Sequence, residues 1–223
     1  MLPMKSYLLF LFLLTAVIQA CAQDFETKEW NASSHDKPLI FYLSGDGGFN
    51  KFSNSLCEGL NDQGYDVSAL NCRSYFWDKK TPEQAADDIS NYLTQKMSDR
   101  ENQQIVLVGY SFGADIVPFI INRLPKETSD KISVAYMMAS SGTTDFEIHW
   151  SDILGGHSKR EKDVITELNM VTDKKIILIG ASDDKDLDLS RITVKFKSEV
   201  LPGGHHFDGD TNEIVKVIVN DMN

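Results

Sequence analysis

The chain has 223 residues and a formal net charge of −11 at pH 7, with a sequence pI of about 4.8. So negative a protein repels phosphate backbones and anionic surfaces, which argues against a nucleic-acid partner and against membrane adsorption through charge alone. We expect a monomer that makes at most transient contact with membrane lipid.

The first 22 residues have the pattern of a secretory signal peptide. Lys5 gives a positive start, an apolar run follows over residues 7–18, and small side chains come next. The run is shorter than the roughly 20 apolar residues that span a bilayer. We therefore predict an exported, periplasmic protein cleaved after this segment. The alternative is a lipoprotein anchored through Cys21, because the residues before that cysteine resemble a lipobox.

Residues 23–36 are polar and predict a loose lead-in, and residues 37–223 predict a single domain. In that domain, apolar runs typical of strands alternate with segments of helical periodicity. The predicted strands cover residues 38–43, 65–70, 105–108, 132–138, 175–179 and 192–200. The predicted helices cover residues 50–63, 81–97, 114–124, 159–168 and 210–222. Such alternation is typical of a mostly parallel sheet, here of about six strands, with helices on both faces.

The segment Gly109-Tyr110-Ser111-Phe112-Gly113 lies between a predicted strand and a predicted helix. In that setting the pattern G-x-S-x-G indicates a nucleophile elbow, in which the serine occupies a strained turn between small residues. We therefore predict an α/β-hydrolase fold with Ser111 as its nucleophile. The alternative is a glycine-rich turn with no chemistry.

A serine nucleophile needs a base and an acid that orients it. In this fold the acid follows a late strand and the histidine precedes the closing helix. We predict Asp183 as the acid, with Asp184 and Asp186 as alternatives, since all three follow the predicted fifth strand. His205 is the predicted base because it directly follows two glycines, and His206 is the alternative.

The same two loops have features that metal sites share. Asp184 begins a run of alternating acidic residues like that of a calcium loop, but Leu189 stands where such a loop needs glycine. The neighbouring histidine pair with Asp208 is a second arrangement that a metal could use. We predict no metal and no cofactor.

An oxyanion hole should combine the backbone N–H of Phe112 with one N–H from the loop after the first predicted strand. That loop, residues 44–48, is rich in glycine, which lets a backbone approach an oxyanion closely. Asp46 or Gly47 is the predicted second donor. The alternative is an ordinary glycine-rich turn.

Five short motifs are distributed along the chain. They are Ser44-Gly45-Asp46-Gly47-Gly48-Phe49, Tyr75-Phe76-Trp77, Gly109-Tyr110-Ser111-Phe112-Gly113-Ala114-Asp115, Asp145-Phe146-Glu147 and Pro202-Gly203-Gly204-His205-His206-Phe207-Asp208-Gly209. Together and in this order they resemble the bacterial virulence protein family VirJ/AcvB. The resemblance implies an exported α/β-hydrolase that cleaves aminoacylated phospholipid, notably lysyl-phosphatidylglycerol. It also implies a link of some members to type IV secretion.

The aromatic motif Tyr75-Phe76-Trp77 follows the second predicted strand, on the side of the sheet where active sites gather. Three adjacent side chains cannot all face inward, so we expect at least one to line a pocket. We nominate all three, with Tyr110, as substrate-pocket residues. Packing in the core is the alternative for each.

Two cysteines remain once Cys21 is removed or lipidated, an even number in an exported protein. Cys57 lies on a predicted helix and Cys72 just past the next strand. A disulfide between them and two separate buried thiols are both open.

These features predict an exported serine hydrolase that cleaves an ester through a Ser-His-Asp triad. Aminoacyl esters are activated acyl donors, and an acidic protein attracts their ammonium group, which agrees with the substrate that the resemblance implies. The alternative is a catalytically silent protein of the same fold that acts in periplasmic binding or as a type IV secretion accessory.

Overall fold

The computed structural model describes residues 25–148 and 160–222. In chain order its strands are β1 (Thr27–Trp30), β2 (Leu39–Leu43), β3 (Val67–Leu70), β4 (Ile105–Tyr110), β5 (Ile132–Met138), β6 (Thr143–Thr144), β7 (Lys162–Asp163), β8 (Lys175–Ala181) and β9 (Phe196–Leu201). Seven of them form one sheet in the order β1-β3-β2-β4-β5-β8-β9, and β6 pairs with β7. Neighbours in the large sheet are parallel, except that β1 runs antiparallel to β3. The predicted mostly parallel sheet is confirmed.

Helices cover both faces of the sheet. In chain order they are α1 (Lys51–Asp62), α2 (Cys72–Tyr75), α3 (Pro82–Met97), α4 (Phe112–Ile121), α5 (Lys126–Ser129), α6 (Val164–Leu168) and α7 (Thr211–Met222). α1 and α7 contribute to the apolar cluster on one face, and α3, α4 and α6 contribute to the cluster on the other. The prediction of helices on both faces is therefore confirmed.

Strand β2 shows how the sequence fills both layers. Its five residues are all fully buried. Ile40 and Tyr42 point into the cluster under α1 and α7, whereas Leu39, Phe41 and Leu43 point into the opposite cluster. A continuous apolar run of this kind is typical of a parallel strand that is covered on both sides.

Strand β1 lies where the sequence predicts a loose lead-in, so the sheet has seven strands instead of about six. Its residues pair antiparallel with β3 at the edge of the sheet. The side chain of Trp30 packs on the adjacent core, and Glu29 accepts a hydrogen bond from Ser68 at 3.0 Å. A short, half-polar strand of this kind suits an exposed edge, which is why its composition resembles that of a loop.

Two further elements differ from the predicted boundaries. The predicted helix over 159–168 begins only at Val164, because Asp163 caps it by accepting a hydrogen bond from the Thr166 N–H at 2.7 Å. The predicted last strand begins at Phe196, since residues Leu189–Arg191 form a 3₁₀ turn before it.

Cys57 and Cys72 are separate thiols. Cys57 lies in the cluster under α1 and α7, and Cys72 lies in the cluster on the opposite face of the sheet. Burial raises the pKa of both thiols well above the usual range. Of the two arrangements left open by the sequence, the structure therefore has two free, unreactive cysteines and no disulfide between them.

The predicted signal peptide, residues 1–22 with Cys21, lies outside the described residues. Within residues 25–148 and 160–222, no helix combines the length and apolarity that crossing a membrane requires.

Candidate active site

Ser111 occupies a sharp turn between β4 and α4. Its backbone has φ 52° and ψ −121°, a conformation that non-glycine residues rarely adopt. Its N–H donates to the carbonyl of Met138 at 2.9 Å, and its own carbonyl accepts from the Asp115 N–H at 3.0 Å. The turn is thus anchored on both sides and raises the serine side chain at the carboxyl end of the sheet.

The two glycines of the motif are required by close backbone contacts. A Cβ on Gly113 would lie 2.1 Å from the carbonyl oxygen of Leu43, and one on Gly109 would lie 2.6 Å from the Cα of Ala114. Real Cβ atoms do not approach backbone so closely. The small residues that the sequence pattern predicts therefore allow strand, turn and helix to pack together.

His205 bridges Ser111 and Asp184. Its Nε2 lies 2.8 Å from Ser111 Oγ, and its Nδ1 lies 2.6 Å from Asp184 Oδ2. A carboxylate only accepts hydrogen bonds, so Nδ1 carries the proton and the neutral ring has Nε2 as acceptor for the serine hydroxyl. This is the tautomer that a general base for Ser111 requires.

The carboxylate at His205 belongs to Asp184, so the prediction of Asp183 is wrong and its stated alternative takes that place. β8 extends to Ala181, two residues further than predicted, and the Asp184 N–H then donates to the Ala181 carbonyl at 3.1 Å. That turn directs Asp184 towards the histidine. The Asp183 carboxylate instead accepts from the Ser182 hydroxyl at 3.0 Å.

Asp186, the third acidic candidate, holds the carboxylate of Asp184 in place. The N–H of Asp186 donates to Asp184 Oδ1 at 3.2 Å, so the two oxygens of Asp184 are held by different partners. Asp184, Asp186 and His205 also place their ligand atoms within 4.8 Å of one another. An ion bound through His205 Nδ1 would have to replace the proton shared with Asp184, so this grouping fits the hydrogen-bonded arrangement better than a metal site.

His206 faces Tyr110 and not the serine. Its Nδ1 lies 2.5 Å from the Tyr110 hydroxyl oxygen, and that hydroxyl donates to the His205 carbonyl at 3.2 Å. Burial raises the pKa of Tyr110 well above the usual range, and the charges of Asp46 and Asp184 add to the effect. The phenol therefore stays protonated and ties the two histidines to the elbow.

A cleft of about 740 Å³ opens over Ser111. The described residues that line it come from the elbow and the helix α4, the loop after β2, the segment from the end of β5 through β6, the residues before β7, and the loops after β8 and β9. They are Asp46, Gly47, Asn50, Tyr110, Ser111, Asp115, Ala139, Ser141, Gly142, Thr143, Arg160, Asp186, His205 and His206. The nominated pocket residue Tyr110 is thus present in its wall.

The oxyanion candidates lie around the serine. Phe112 is the first residue of α4, where helix N–H groups lack partners within the helix. Asp46 and Gly47 line the cleft, and a Cβ on Gly45 would come within 3.4 Å of the Ser111 Cβ. The glycine-rich loop after β2 therefore passes directly beside the serine, as an oxyanion loop must.

The aromatic motif after β3 contributes to the core, so its assignment to the substrate pocket is wrong for Tyr75 and Phe76. Both are essentially fully buried. The Phe76 ring packs 5.1 Å from that of Phe112 and 5.6 Å from that of Phe146. Trp77 is 39% exposed and is not among the described residues that line the cleft. The spacing of apolar residues in the sequence cannot distinguish a side chain in the core from one that lines a pocket. The short helix α2 turns the rings of Tyr75 and Phe76 into the core.

Two charged residues of the cleft, Asp115 and Arg160, were not nominated from the sequence. Asp115 is 1% exposed, one helical turn beyond Ser111, and burial raises its pKa to about 7. Arg160 Nη1 lies 3.7 Å from its carboxylate. Asp115 is the last residue of the third motif, and the sequence shows it as a charge within an otherwise apolar helix. Arg160 has no sequence signal.

The chain matches one protein-family model over most of its length. Residues 36–223 match the model described as bacterial virulence protein (VirJ). The chain belongs to the VirJ family. The match covers all the elements described above except β1, so the family resemblance predicted from five motifs is confirmed. No curated protein matches this VirJ-family chain.

Solved structures establish the fold of this family member. Est1E from Butyrivibrio proteoclasticus, in a structure with bound ferulic acid, has a TM-score of 0.66 at 13% identity, over 89% of this chain and 94% of that one. A hydrolase from Oleispira antarctica has a TM-score of 0.64 at 12% identity, over 90% and 95%. A dienelactone hydrolase described as putative, from Klebsiella pneumoniae, has a TM-score of 0.62 at 10% identity, over 88% and 91%. The predicted α/β-hydrolase fold is confirmed.

Proposed function

We propose that this protein is a serine hydrolase with Ser111 as nucleophile, His205 as general base and Asp184 as the acid that orients it. The observation that carries the proposal is the bridge made by His205, with 2.8 Å to the serine and 2.6 Å to the aspartate. Its location on a strained elbow is a second support, because this turn exposes the nucleophile above the sheet.

The chemistry follows from these contacts. Ser111 Oγ attacks the ester carbonyl carbon while its proton moves to His205 Nε2, and the carbonyl electron pair becomes an oxyanion. The tetrahedral species then collapses: the bond to the leaving alcohol breaks, and His205 returns the proton to that oxygen. Water repeats both steps on the acyl-enzyme and releases the acid. Asp184 keeps the proton on Nδ1 throughout.

The oxyanion is assigned to backbone donors at the elbow. The N–H of Phe112 lies at the start of α4, where the helix dipole favours negative charge. The second donor is assigned to the loop after β2, at Asp46 or Gly47, which lines the same cleft. The side chain of Asp46 must then point away from the oxyanion or towards the substrate, because two negative charges would repel.

We propose an aminoacyl ester as the substrate, with lysyl-phosphatidylglycerol as the leading candidate. The support is the family membership together with the acidic character of the site. Asp46 and Asp186 line the cleft, and the whole chain carries a net charge of −11, so an ammonium group is attracted there.

A catalytically silent binding or secretion-accessory role gives no reason for a histidine aligned with both a serine and a carboxylate.

Release of free amino acid tests this proposal. Purified protein is incubated with lysyl-phosphatidylglycerol, alanyl-phosphatidylglycerol and a simple short-chain ester, beside the Ser111→Ala variant. The proposal expects amino-acid release from at least one aminoacyl lipid, and none with the variant. Cleavage of the simple ester alone would reject the substrate while leaving the serine mechanism in place. Equal release by the variant would reject the mechanism.

We also propose that the protein is exported to the periplasm, on the basis of its N-terminal sequence. Mass spectrometry of the mature N-terminus in cell-derived protein distinguishes a cleaved soluble product from a lipid-modified Cys21. An intact Met1 terminus would reject export.

A further inference from the structure

A second cavity lies beside the cleft, at the carboxyl ends of three strands, and is called the strand-end pocket below. Its volume is about 100 Å³, and its walls come from the ends of β5, β8 and β9 and from the loop that follows β8. The larger apolar side chains in these walls are Met137, Leu178, Ile179, Leu187, Leu189 and Val200.

The strand-end pocket exists because residue 180 has no side chain. Gly180 pairs with Val200 in the register of β8 and β9. A Cβ on Gly180 would meet no atom within 4 Å. Leu178, two residues earlier on the same face of the strand, packs in the core. The apolar face of β8 therefore ends in a gap that no side chain of the described residues fills.

Two large apolar side chains of this pocket are exposed to solvent. Leu189 is 41% exposed and Val200 is 64% exposed. The described residues expose only two other large apolar side chains, Trp77 and Met170. Exposed apolar side chains beside an unfilled apolar pocket are typical of a place where a ligand binds.

The strand-end pocket and the cleft share part of their walls. Ala139 and Asp186 line both cavities. Asp184 also lines the pocket, and its two oxygens are already engaged by His205 Nδ1 and the Asp186 N–H. His205 in turn lies 2.8 Å from Ser111. One imidazole ring and two hydrogen bonds therefore separate the pocket wall from the nucleophile, and a substrate that extends past Ala139 can reach the pocket.

We propose that the strand-end pocket is an aliphatic subsite that holds an unbranched carbon chain of the ester bound at Ser111. This inference rests on the proposed hydrolase function and deepens it by naming where an apolar part of the substrate binds. The volume sets the length at about three or four carbon atoms, since one water takes about 30 Å³ of liquid. The apolar walls set the chemistry, because each buried methylene strengthens binding by about fourfold.

The dependence of turnover on chain length tests the subsite. One series varies the acyl chain, as p-nitrophenyl acetate, butyrate and octanoate, and another varies the alcohol, as ethyl, butyl and octyl acetate. We expect kcat/KM to rise about tenfold from two to four carbons in one series, because two methylenes are buried, and to rise no further at eight. The series that responds identifies which part of the ester occupies the pocket.

Variants connect this preference to the pocket. Gly180→Val fills the gap, so the ratio of kcat/KM for the four-carbon ester to that for the two-carbon ester should fall to about one. Hydrolysis of the two-carbon ester should stay close to wild type. Ser133→Val is the matched control, because it adds the same side chain at an exposed position of β5 outside the pocket. Leu189→Asn makes an exposed wall residue polar and should lower the ratio severalfold, and circular dichroism checks that each variant is folded.

A binding measurement separates the subsite from the hydrolase proposal. 1-Butanol is titrated into protein with isotope-labelled Leu and Val methyl groups, with methanol as the control. We expect saturable NMR shifts at Leu187, Leu189 and Val200 with butanol alone, and their loss in Gly180→Val. Equal chain-length ratios in wild type and folded Gly180→Val, a rise that continues to eight carbons, or no saturable shift would overturn the subsite. Each of these results leaves covalent labelling of Ser111 unaffected, whereas failed labelling with intact butanol shifts would reject the hydrolase proposal alone.

Discussion

Asp184 Oδ2 lies 2.6 Å from His205 Nδ1, whereas the carboxylate of the neighbouring Asp183 accepts a hydrogen bond from the Ser182 hydroxyl. The difference comes from the turn in which the Asp184 N–H donates to the Ala181 carbonyl. Two adjacent residues therefore differ in role: Asp184 can orient the base, whereas Asp183 is an exposed carboxylate of the loop.

This relationship predicts opposite effects for two neighbouring substitutions. Asp184→Asn should lower kcat by about a thousandfold or more, because the amide favours the wrong histidine tautomer. Asp183→Asn should stay close to wild type, since its carboxylate only accepts from Ser182. Ester or aminoacyl-lipid hydrolysis measured for both variants checks this, and a reversed order would show that Asp183 is the orienting acid.

Tyr110 is predicted to position the histidines. In Tyr110→Phe, His206 Nδ1 and the His205 carbonyl both lose their hydroxyl partner, so the free energy of unfolding should fall by about 1–3 kcal/mol and kcat should fall with it. Tyr136→Phe is the control, because it removes a phenol that bonds Ile218 and Asp221 away from the cleft. Urea unfolding and turnover are measured together. Equal turnover losses in both variants would contradict a positioning role.

Asp115 should give stability a specific pH dependence. Burial raises its pKa from 3.8 to about 7, so between these values the folded state holds a proton that the unfolded state has lost. Its contribution to stability is therefore present at low pH and falls as pH rises, by up to about 1.4 kcal/mol per pH unit. Arg160 is the charged group that opposes this shift.

Asp115→Asn removes that titration. The free energy of unfolding of the variant minus that of wild type should rise with pH between about 4 and 7 and become level above that range. Urea unfolding at a series of pH values measures it. For Asp163→Asn, the free energy of unfolding of the variant minus that of wild type should change with pH in the opposite direction, because hydrogen bonds from Thr166 and Arg191 lower the pKa of Asp163. A flat difference for Asp115→Asn would mean that the carboxyl titrates normally.

The packing of the elbow predicts a strong effect at one glycine and little at another. Gly113→Ala would place a methyl 2.1 Å from the Leu43 carbonyl oxygen, so the free energy of unfolding should fall by about 3 kcal/mol or more. A Cβ on Gly180 meets nothing within 4 Å, and Gly180→Ala should be nearly neutral. Thermal and urea unfolding of the two variants test this. A stable Gly113→Ala protein would show that the turn can relax.

Features that depend on the chain order of the catalytic candidates, or on the spacing of apolar residues, were predictable from the sequence. The elbow was predictable because strand, glycine spacing and helix all coincide around Ser111, and His205 was predictable because it precedes the closing helix. Strand β2 was equally clear, since its apolar run is continuous. These features are set by local residue types, which a sequence displays directly.

Other features depend on contacts that no local pattern encodes. Whether Asp183 or Asp184 meets the histidine is decided by where β8 ends. The sequence predicts a pocket position for Phe76 because it follows β3 at the end of the sheet where active sites gather. Its ring instead packs against Phe112, which is distant in the chain. Arg160 was missed for the same reason, as it reaches the cleft only through the fold.

Covalent labelling by a fluorophosphonate probe measures whether Ser111 is an activated nucleophile. We predict that purified wild-type protein is labelled, that the modified peptide contains Ser111, and that Ser111→Ala is not labelled. Ser182→Ala, which removes an exposed serine beside the acidic loop, should be labelled like wild type. No labelling of the wild type, or equal labelling of Ser111→Ala, would contradict the assignment of Ser111 as an activated nucleophile.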